Sequence, residues 1–367
     1  MAALTLDITH CCRPCVHRLY SQTRFFSSTP TRRKHGPLPT FTTTPSEELN
    51  TLLTTFRTNI FLPSHLISLQ RDLLYKKKNH PLLTSDEPAT VRLGNEVHQL
   101  HPLNHKKDEP PTRPSIAKVV DLMTETGDWK NLPGFLEGLK TARRSVKGFQ
   151  YEKMVRRAND CGRMGVVVDC LRRVEGTGMG LWDVRVARCV MWGAMAKAMQ
   201  ADWSEEGVEK GVKFAEGIWE LCCDPRHAGK MVGLEDPKKR PEVVGVLVQM
   251  HAAKAHLFGG GKDEGGAVEK WVGVMLKVWG NTEMEVAEGD WYDANDKMLI
   301  WAPVWHGMVM AQKVLEAQSP LGKELGTKLQ DLESVIQQAR TMLAENPPQE
   351  GVRRGLKLYE KLTQVSV

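Results

Sequence analysis

Apolar residues recur at helical spacing along most of the chain, and the breaks in that rhythm mark its organisation. Leu49, Leu52, Leu53, Phe56 and Ile60 fall at i, i+3, i+4, i+7 and i+11, the stripe of a helix that buries one face. Thr44-Pro45-Ser46-Glu47 stands just ahead as a capping box with Pro at the first helical position, so the helix is expected to start there. Ser64 is expected to cap a second helix carrying Leu66, Leu69, Leu73 and Leu74. That helix closes on Lys76-Lys77-Lys78, cations that suit the negative end of a helix dipole. The period then changes to two. Val91 and Leu93 precede Gly94-Asn95, and Val97 follows, the pattern of a short β-hairpin between Thr90 and Leu100. A Pro-rich, charged stretch from Lys106 to Pro114 reads as a linker.

From Ser115 the helical spacing returns, and with it a longer regularity of 35 residues. Ile116, Tyr151 and Val186 coincide at that offset, as do Val119, Met154 and Cys189, and likewise Val120, Val155 and Val190. Gly127 coincides with Gly162, Leu136 with Leu171 and Leu139 with Val174. A helix, a glycine-closed turn and an antiparallel helix account for such a unit. One hairpin buries only one face, so copies must stack. Beyond Asp202 helices are expected without a period. Ser204 caps Val208, Val212, Ala215, Trp219 and Cys222, and Pro241 opens a run through Leu257 that stops at Gly259. Val268–Trp279, Asp296–Ala317, Leu321–Ala344 and Gly351–Leu362 follow, with Pro303 expected to kink or split the second of these. Trp271, Trp279, Trp291, Trp301 and Trp305 lie in this stretch at spacings that suit core packing rather than base stacking.

Tyr151-Glu152-Lys153-Met154-Val155, followed by Cys161-Gly162-Arg163 and Val174-Glu175-Gly176-Thr177-Gly178-Met179, resembles a pentatricopeptide repeat. In that family one Gly closes the first helix and a second, sixteen residues later, closes the second helix before an apolar residue; Gly162, Gly178 and Met179 satisfy this. Residues 149–183 carry the clearest copy. Residues 114–148 keep Gly127 but have Arg143 where the second Gly belongs, and residues 184 onward keep only the apolar positions of the first helix. Tetratricopeptide hairpins differ in period by only about one residue. The resemblance implies a right-handed array of helical hairpins in a protein of mitochondrial gene expression. Sequence-specific members present a short polar residue directly after the Tyr151 position. Glu152 stands there, and Ala117 in the preceding copy, so base-by-base reading of RNA is not expected.

Composition changes the picture mainly at the N-terminus. The 367 residues carry a net charge of +6, but Arg13, Arg18, Arg24, Arg32, Arg33 and Lys34 lie within residues 1–40 against the single acid Asp7. The remainder is about neutral, so global charge gives no argument for nucleic acid. The same segment is rich in Arg, Ser and Thr and lacks an apolar core, which reads as a mitochondrial transit peptide; Arg24-Phe25-Phe26-Ser27-Ser28 resembles a matrix processing site. Met298–Ala311 is too short for the ~20 residues of a spanning helix, so no transmembrane segment is expected. His10-Cys11-Cys12-Arg13-Pro14-Cys15-Val16-His17 has zinc-ligand residue types but lies in the leader. Cys161, Cys170, Cys189, Cys222 and Cys223 form no C-x-x-C pair and read as reduced thiols. Gly259-Gly260-Gly261-Lys262 lacks the spacing and hydroxyl of a phosphate loop, and His251 and His256 are five apart on one helix. No cofactor, metal or catalytic constellation is expected.

The local charge is more telling. Between Glu137 and Glu175 stand ten basic residues against five acids. First helices line one surface of a solenoid, so Lys153, Arg156 and Arg157 are expected to converge on a groove for RNA phosphates, with Lys140, Arg143, Arg144 and Lys147 beside them. Arg172 and Arg173 end the second helix and are expected to offset its dipole instead. The expected fold is an all-α helical-hairpin array, an α-solenoid, with a small N-terminal accessory region. Residues 1–40 form a disordered transit peptide, 41–105 two helices and a hairpin, 106–114 a linker, 115–200 the repeat-like hairpins and 201–367 degenerate helical repeats. The function expected is that of a non-enzymatic factor of the mitochondrial matrix that binds RNA or the mitochondrial ribosome. The alternative is a tetratricopeptide-like scaffold for protein, for instance in respiratory-complex assembly. A positive surface would favour the first and a mixed or apolar one the second.

Overall fold

The computed structural model describes residues 37–85, 89–228, 236–281, 284–345 and 353–366, together with the backbone of a two-residue strand, β1, Phe25–Phe26. Apart from that strand and residues 37–40, the presequence reading and the cysteines at 11, 12 and 15 lie outside the described residues. The described chain is all-α, as expected, with one minor sheet. It divides into two compact units: the chain up to Met123 with Gly134–Ser145, and Thr124–Pro133 with everything from Val146 on.

In the first unit, helix α1 (Glu47–Phe56) is capped by Ser46, whose hydroxyl accepts from Leu49 N at 3.2 Å, two residues later than the expected Thr44. Thr44 N donates to the Asn50 side chain at 2.8 Å and the Asn50 amide returns a bond to the Thr44 carbonyl at 2.7 Å, which holds the entering chain. Ser64 caps nothing, because it lies inside a single turn, Leu62–His65, and donates to the Phe61 carbonyl at 2.6 Å. Helix α2 starts beyond it, at Ser68–Tyr75. Strands β2 (Thr90–Leu93) and β3 (Glu96–Gln99) pair antiparallel around Gly94, whose φ of +64° the turn requires, and β1 pairs parallel to β2. Leu62, Leu66, Leu73, Leu74 and Leu83 pack with Val91 and Leu100 of the hairpin in one apolar cluster. Helices α3 (Thr112–Leu122) and α4 (Leu132–Thr141) follow. Phe56 meets Phe135 edge-on at 5.0 Å and 83°, and Phe61 lies 6.1 Å from Phe135. Within the stretch expected as a linker, the Glu109 side chain, 6% exposed, pairs with Arg144 and accepts from the Tyr75 hydroxyl at 3.0 Å.

The second unit runs through α5 (Gly148–Asp160), α6 (Met164–Arg172), α7 (Val184–Gln200), α8 (Glu205–Cys223), α9 (Pro241–Leu257), α10 (Ala267–Lys277), α11 (Trp291–Val314), α12 (Pro320–Glu345) and α13 (Arg354–Ser366). Ser204 caps α8, accepting from Gly207 N at 3.3 Å. Helix α11 begins at an Asp290 cap, earlier than expected, and runs past Pro303 without splitting. Continuous burial from Trp301 to Met308 holds that segment helical despite the bond Pro303 cannot donate. Trp271, Trp279, Trp301 and Trp305 are buried in core packing, whereas Trp291 is half-buried and stacks on exposed Tyr292.

Every residue of α9 from Pro241 to Ala253 is buried, so over that length the helix has no solvent face, and α7, α8, α10 and α11 pack around it. It meets α11 at two glycines. A Cβ on Gly245 would come within 2.8 Å of the Val304 side chain, and one on Gly307 within 2.7 Å of Gln249 N. Between them Gln249 Nε2 and His306 Nδ1 lie 2.9 Å apart, both residues fully buried, with Trp203 edge-on to His306 at 4.9 Å. Burial pushes the His306 pKa down to about 3.

Two outcomes follow. Gly307→Ala should lower the unfolding free energy in urea by about 1–3 kcal/mol through overpacking, whereas Gly273→Ala, with open space around it in α10, should raise it by about 0.5–1 kcal/mol. His306 is neutral in the folded chain but ordinary in the unfolded one, so the unfolded state binds the extra proton below pH ~6.5. The stability His306 contributes is therefore complete above pH ~6.5 and declines by about 1.4 kcal/mol per pH unit towards pH 3. Denaturation midpoints between pH 7 and 5 should show that slope reduced in His306→Gln.

Candidate partner-binding surface

Helices α3, α5 and α7 begin at Thr112, Gly148 and Val184, 36 residues apart, and each is followed by a second helix, α4, α6 and α8. Gly162 closes α5 with φ +68°, letting Arg163 N reach back to the Ala158 carbonyl at 2.7 Å. Gly178 takes the same left-handed conformation, φ +72°, after the turn Val174–Thr177. Arg143 occupies the matching position one copy earlier and is left-handed too, φ +56°, with Arg144 N donating to the Leu139 carbonyl at 2.8 Å. The backbone geometry is present there without its glycine. Gly127 is different: it lies inside the single turn Thr126–Trp129, and α3 ends in an extended Met123, so Gly127 does not close the first helix as expected.

The seven expected contact residues divide between the units. In the first, Lys140 and Arg143 are exposed, while Arg144 is tied to Glu109. In the second, Lys147 precedes α5, whose buried face is Gln150, Met154, Val155 and Ala158. Lys153 and Arg156 lie on the opposite face, beside Phe149, which is 53% exposed. Arg157 is half-buried, and its Nε is buried without an acceptor among the described residues.

Acids interleave with these cations. Arg156 pairs with Glu152, four residues earlier on the same helix, at 3.8 Å. On α7, Arg185 binds Asp183 through Nε at 3.1 Å and a terminal nitrogen at 2.8 Å. Desolvation opposes ionisation of Asp183, but the bonds from Arg185 outweigh it and hold that carboxyl below its usual range. Desolvation raises the Asp296 carboxyl of α11, with Arg188 and Arg156 pulling it the other way. Arg188 also lies over the Trp192 ring, 5.5 Å from its centre. The surface is thus mixed in charge and carries aromatic rings. Arg172 and Arg173 are exposed at the end of α6.

The same residues show little chemistry. Burial pushes the Cys189 and Cys222 thiols up to about 12, too high for a thiolate at neutral pH. Among the described residues no group of three or more His, Cys, Asp or Glu side chains is placed to hold a metal ion, and no helix is long and apolar enough to cross a membrane. A family model described as mitochondrial ribosomal protein mS27 matches residues 24–361, through both units. The chain belongs to the mS27 family. A relative from Neurospora crassa, the small ribosomal subunit protein mS27, is 29% identical over 210 residues, which is 57% of this chain and 53% of that protein. The aligned chain thus spans about half the length of that mS27 relative.

Sequence reasoning located the basic residues of this mS27-family chain but not Asp296, which comes near Arg156 and Arg188 only through the fold. The left-handed Arg143 supplies a direct test of the repeat geometry. Arg143→Gly should stabilise the chain by about 1 kcal/mol, the usual penalty of a side chain in that conformation, and Gly162→Ala should cost about the same. Equilibrium denaturation of the two variants reads both signs.

Proposed function

We propose that this chain is a non-enzymatic component of the small subunit of the mitochondrial ribosome, acting in the matrix in mitochondrial translation. The observation that supports it is the family match, which runs through both units. The leader composition supports the compartment. In this reading each unit carries an attachment surface of its own, on hairpins pentatricopeptide-like in spacing. Lys147, Lys153, Arg156 and Arg157 of the second unit, with Lys140 and Arg143 of the first, contact the ribosome, while Arg144 holds Glu109. The acids Glu152, Asp183 and Asp296 around α5 favour a protein neighbour there, since bare phosphates call for uncompensated cations.

The test is sedimentation of a tagged chain from mitochondrial lysate. It should travel with small-subunit rRNA, and Lys153→Glu, Arg156→Glu and Arg157→Glu together should release it at lower salt than the wild type. Arg172→Glu with Arg173→Glu should not. A chain that stays at the top of the gradient while the subunits remain intact would overturn the reading.

A further inference from the structure

In the first unit two turns are folded onto each other. Leu103 N donates to the Leu74 carbonyl at 2.9 Å, and the His105 ring lies flat on Tyr75, 3.8 Å between centres and 9° between planes. The turn that carries His105 is closed on itself. Lys107 N and Asp108 N donate to the Asn104 carbonyl at 3.1 and 2.9 Å, Lys106 N donates to the Asn104 side chain at 2.9 Å, and Asn104 N donates to the Asp108 carboxylate at 2.7 Å. The turn after α2 is equally fixed, with Asn79 N on the Lys76 carbonyl at 2.8 Å and the Asn79 amide on the Asp72 carbonyl at 2.8 Å. Lys77 and Lys78 on one turn, and Lys106 and Lys107 on the other, therefore flank the His105–Tyr75 stack.

The carboxylates of these turns are already engaged. Asp72 pairs with Lys76 at 2.5 Å, Asp108 closes its own turn, and Glu109 holds Arg144, the Tyr75 hydroxyl and, at 2.5 Å, His105 Nδ1. Among the described residues no carboxylate pairs with Lys77, Lys78, Lys106 or Lys107, and all four are exposed. On α5, by contrast, Arg156 has Glu152 beside it and Asp296 nearby. Ammonium groups on flexible stems follow a chain of phosphates without needing a fixed geometry. Tyr75 covers one face of the His105 ring, yet the side chain is 65% exposed, which leaves a flat surface for an unpaired base. An acidic protein would satisfy the lysines but would leave that ring unused.

We propose that this surface of the first unit binds single-stranded RNA, with Lys77, Lys78, Lys106 and Lys107 on the phosphates and one base stacked on His105. The ribosomal reading supplies only the source of the RNA; the binding is a property of the chain itself.

The experiment titrates purified full-length chain with a labelled oligouridylate across a KCl series. Lys77→Gln, Lys78→Gln, Lys106→Gln and Lys107→Gln together should flatten the slope of log affinity against log salt by up to about 3, at roughly 0.7 per lost contact. A control with Lys130→Gln, Lys323→Gln, Lys357→Gln and Lys361→Gln should leave it unchanged. His105→Ala should weaken binding about fivefold or more, the scale of one lost stack, at an unaltered salt slope. The proposal is overturned if the wild-type chain does not bind the oligonucleotide, if the quadruple variant keeps its affinity and slope, or if that variant loses binding only to polyglutamate or to anionic vesicles. Synthetic RNA and purified chain make the result independent of sedimentation with ribosomes, so the two readings fail separately.

Discussion

The second unit depends on how closely α9 and α11 approach. Gly245 and Gly307 remove the side chains that would hold the two helices apart, and everything between them is sealed, including Gln249 and His306. A helix buried on every side cannot be stabilised by amphipathic burial against one partner; it needs neighbours all round. Helices α7, α8 and α10 supply them besides α11. The buried Gln–His pair is the polar cost of this arrangement. Each side chain gains one bond, and Gln249 Oε1 and His306 Nε2 have no other partner among the described residues. A pair that satisfies itself only in one register penalises sliding of α9 along α11.

Much of the fold was legible because helical periodicity is a local signal. The runs at Pro241–Leu257 and Leu321–Ala344, the Ser204 cap and the alternation around Gly94-Asn95 all correspond to observed elements. The misreadings share one cause. Residue type alone points to Thr44, Ser64 and Gly127, and in each case a tertiary contact or an adjoining turn assigns the role elsewhere. Ser46 outcompetes Thr44 because Thr44 is occupied by Asn50, and burial carries α11 through Pro303. The stretch before Thr112 looked like a linker by composition, yet Glu109 is enclosed by partners at Tyr75 and Arg144 that no sequence window contains.

Surface charge was the least legible property. A count of cations in a window does not show which are neutralised, because an acid that faces them can sit on another helix, as Asp296 of α11 does. The richest window, around α5, turns out to be compensated by Glu152, Asp183 and Asp296. The lysines at Lys76–Lys78 drew attention only as the end of a helix. Their significance comes from Lys106 and Lys107 on a neighbouring turn, and from acids already committed to other bonds. Local charge density and available charge are different quantities, and folding decides how far apart they are.

The enclosure of α9 also bears on the order in which the chain can reach its native state. A polypeptide delivered N-terminus first presents α9 while α7 and α8 are at hand, but α10 and α11 arrive later. Until α11 arrives, a run of Val, Leu and Met from Val243 to Met250 has no cover on that side. Such a sticky interval invites mispairing or holding by a chaperone, and its length is set by the connection between α9 and α11 rather than by either helix. Lengthening the Gly259–Gly261 loop region would then slow maturation and increase aggregation of newly made chains while leaving the finished molecule almost as stable as before.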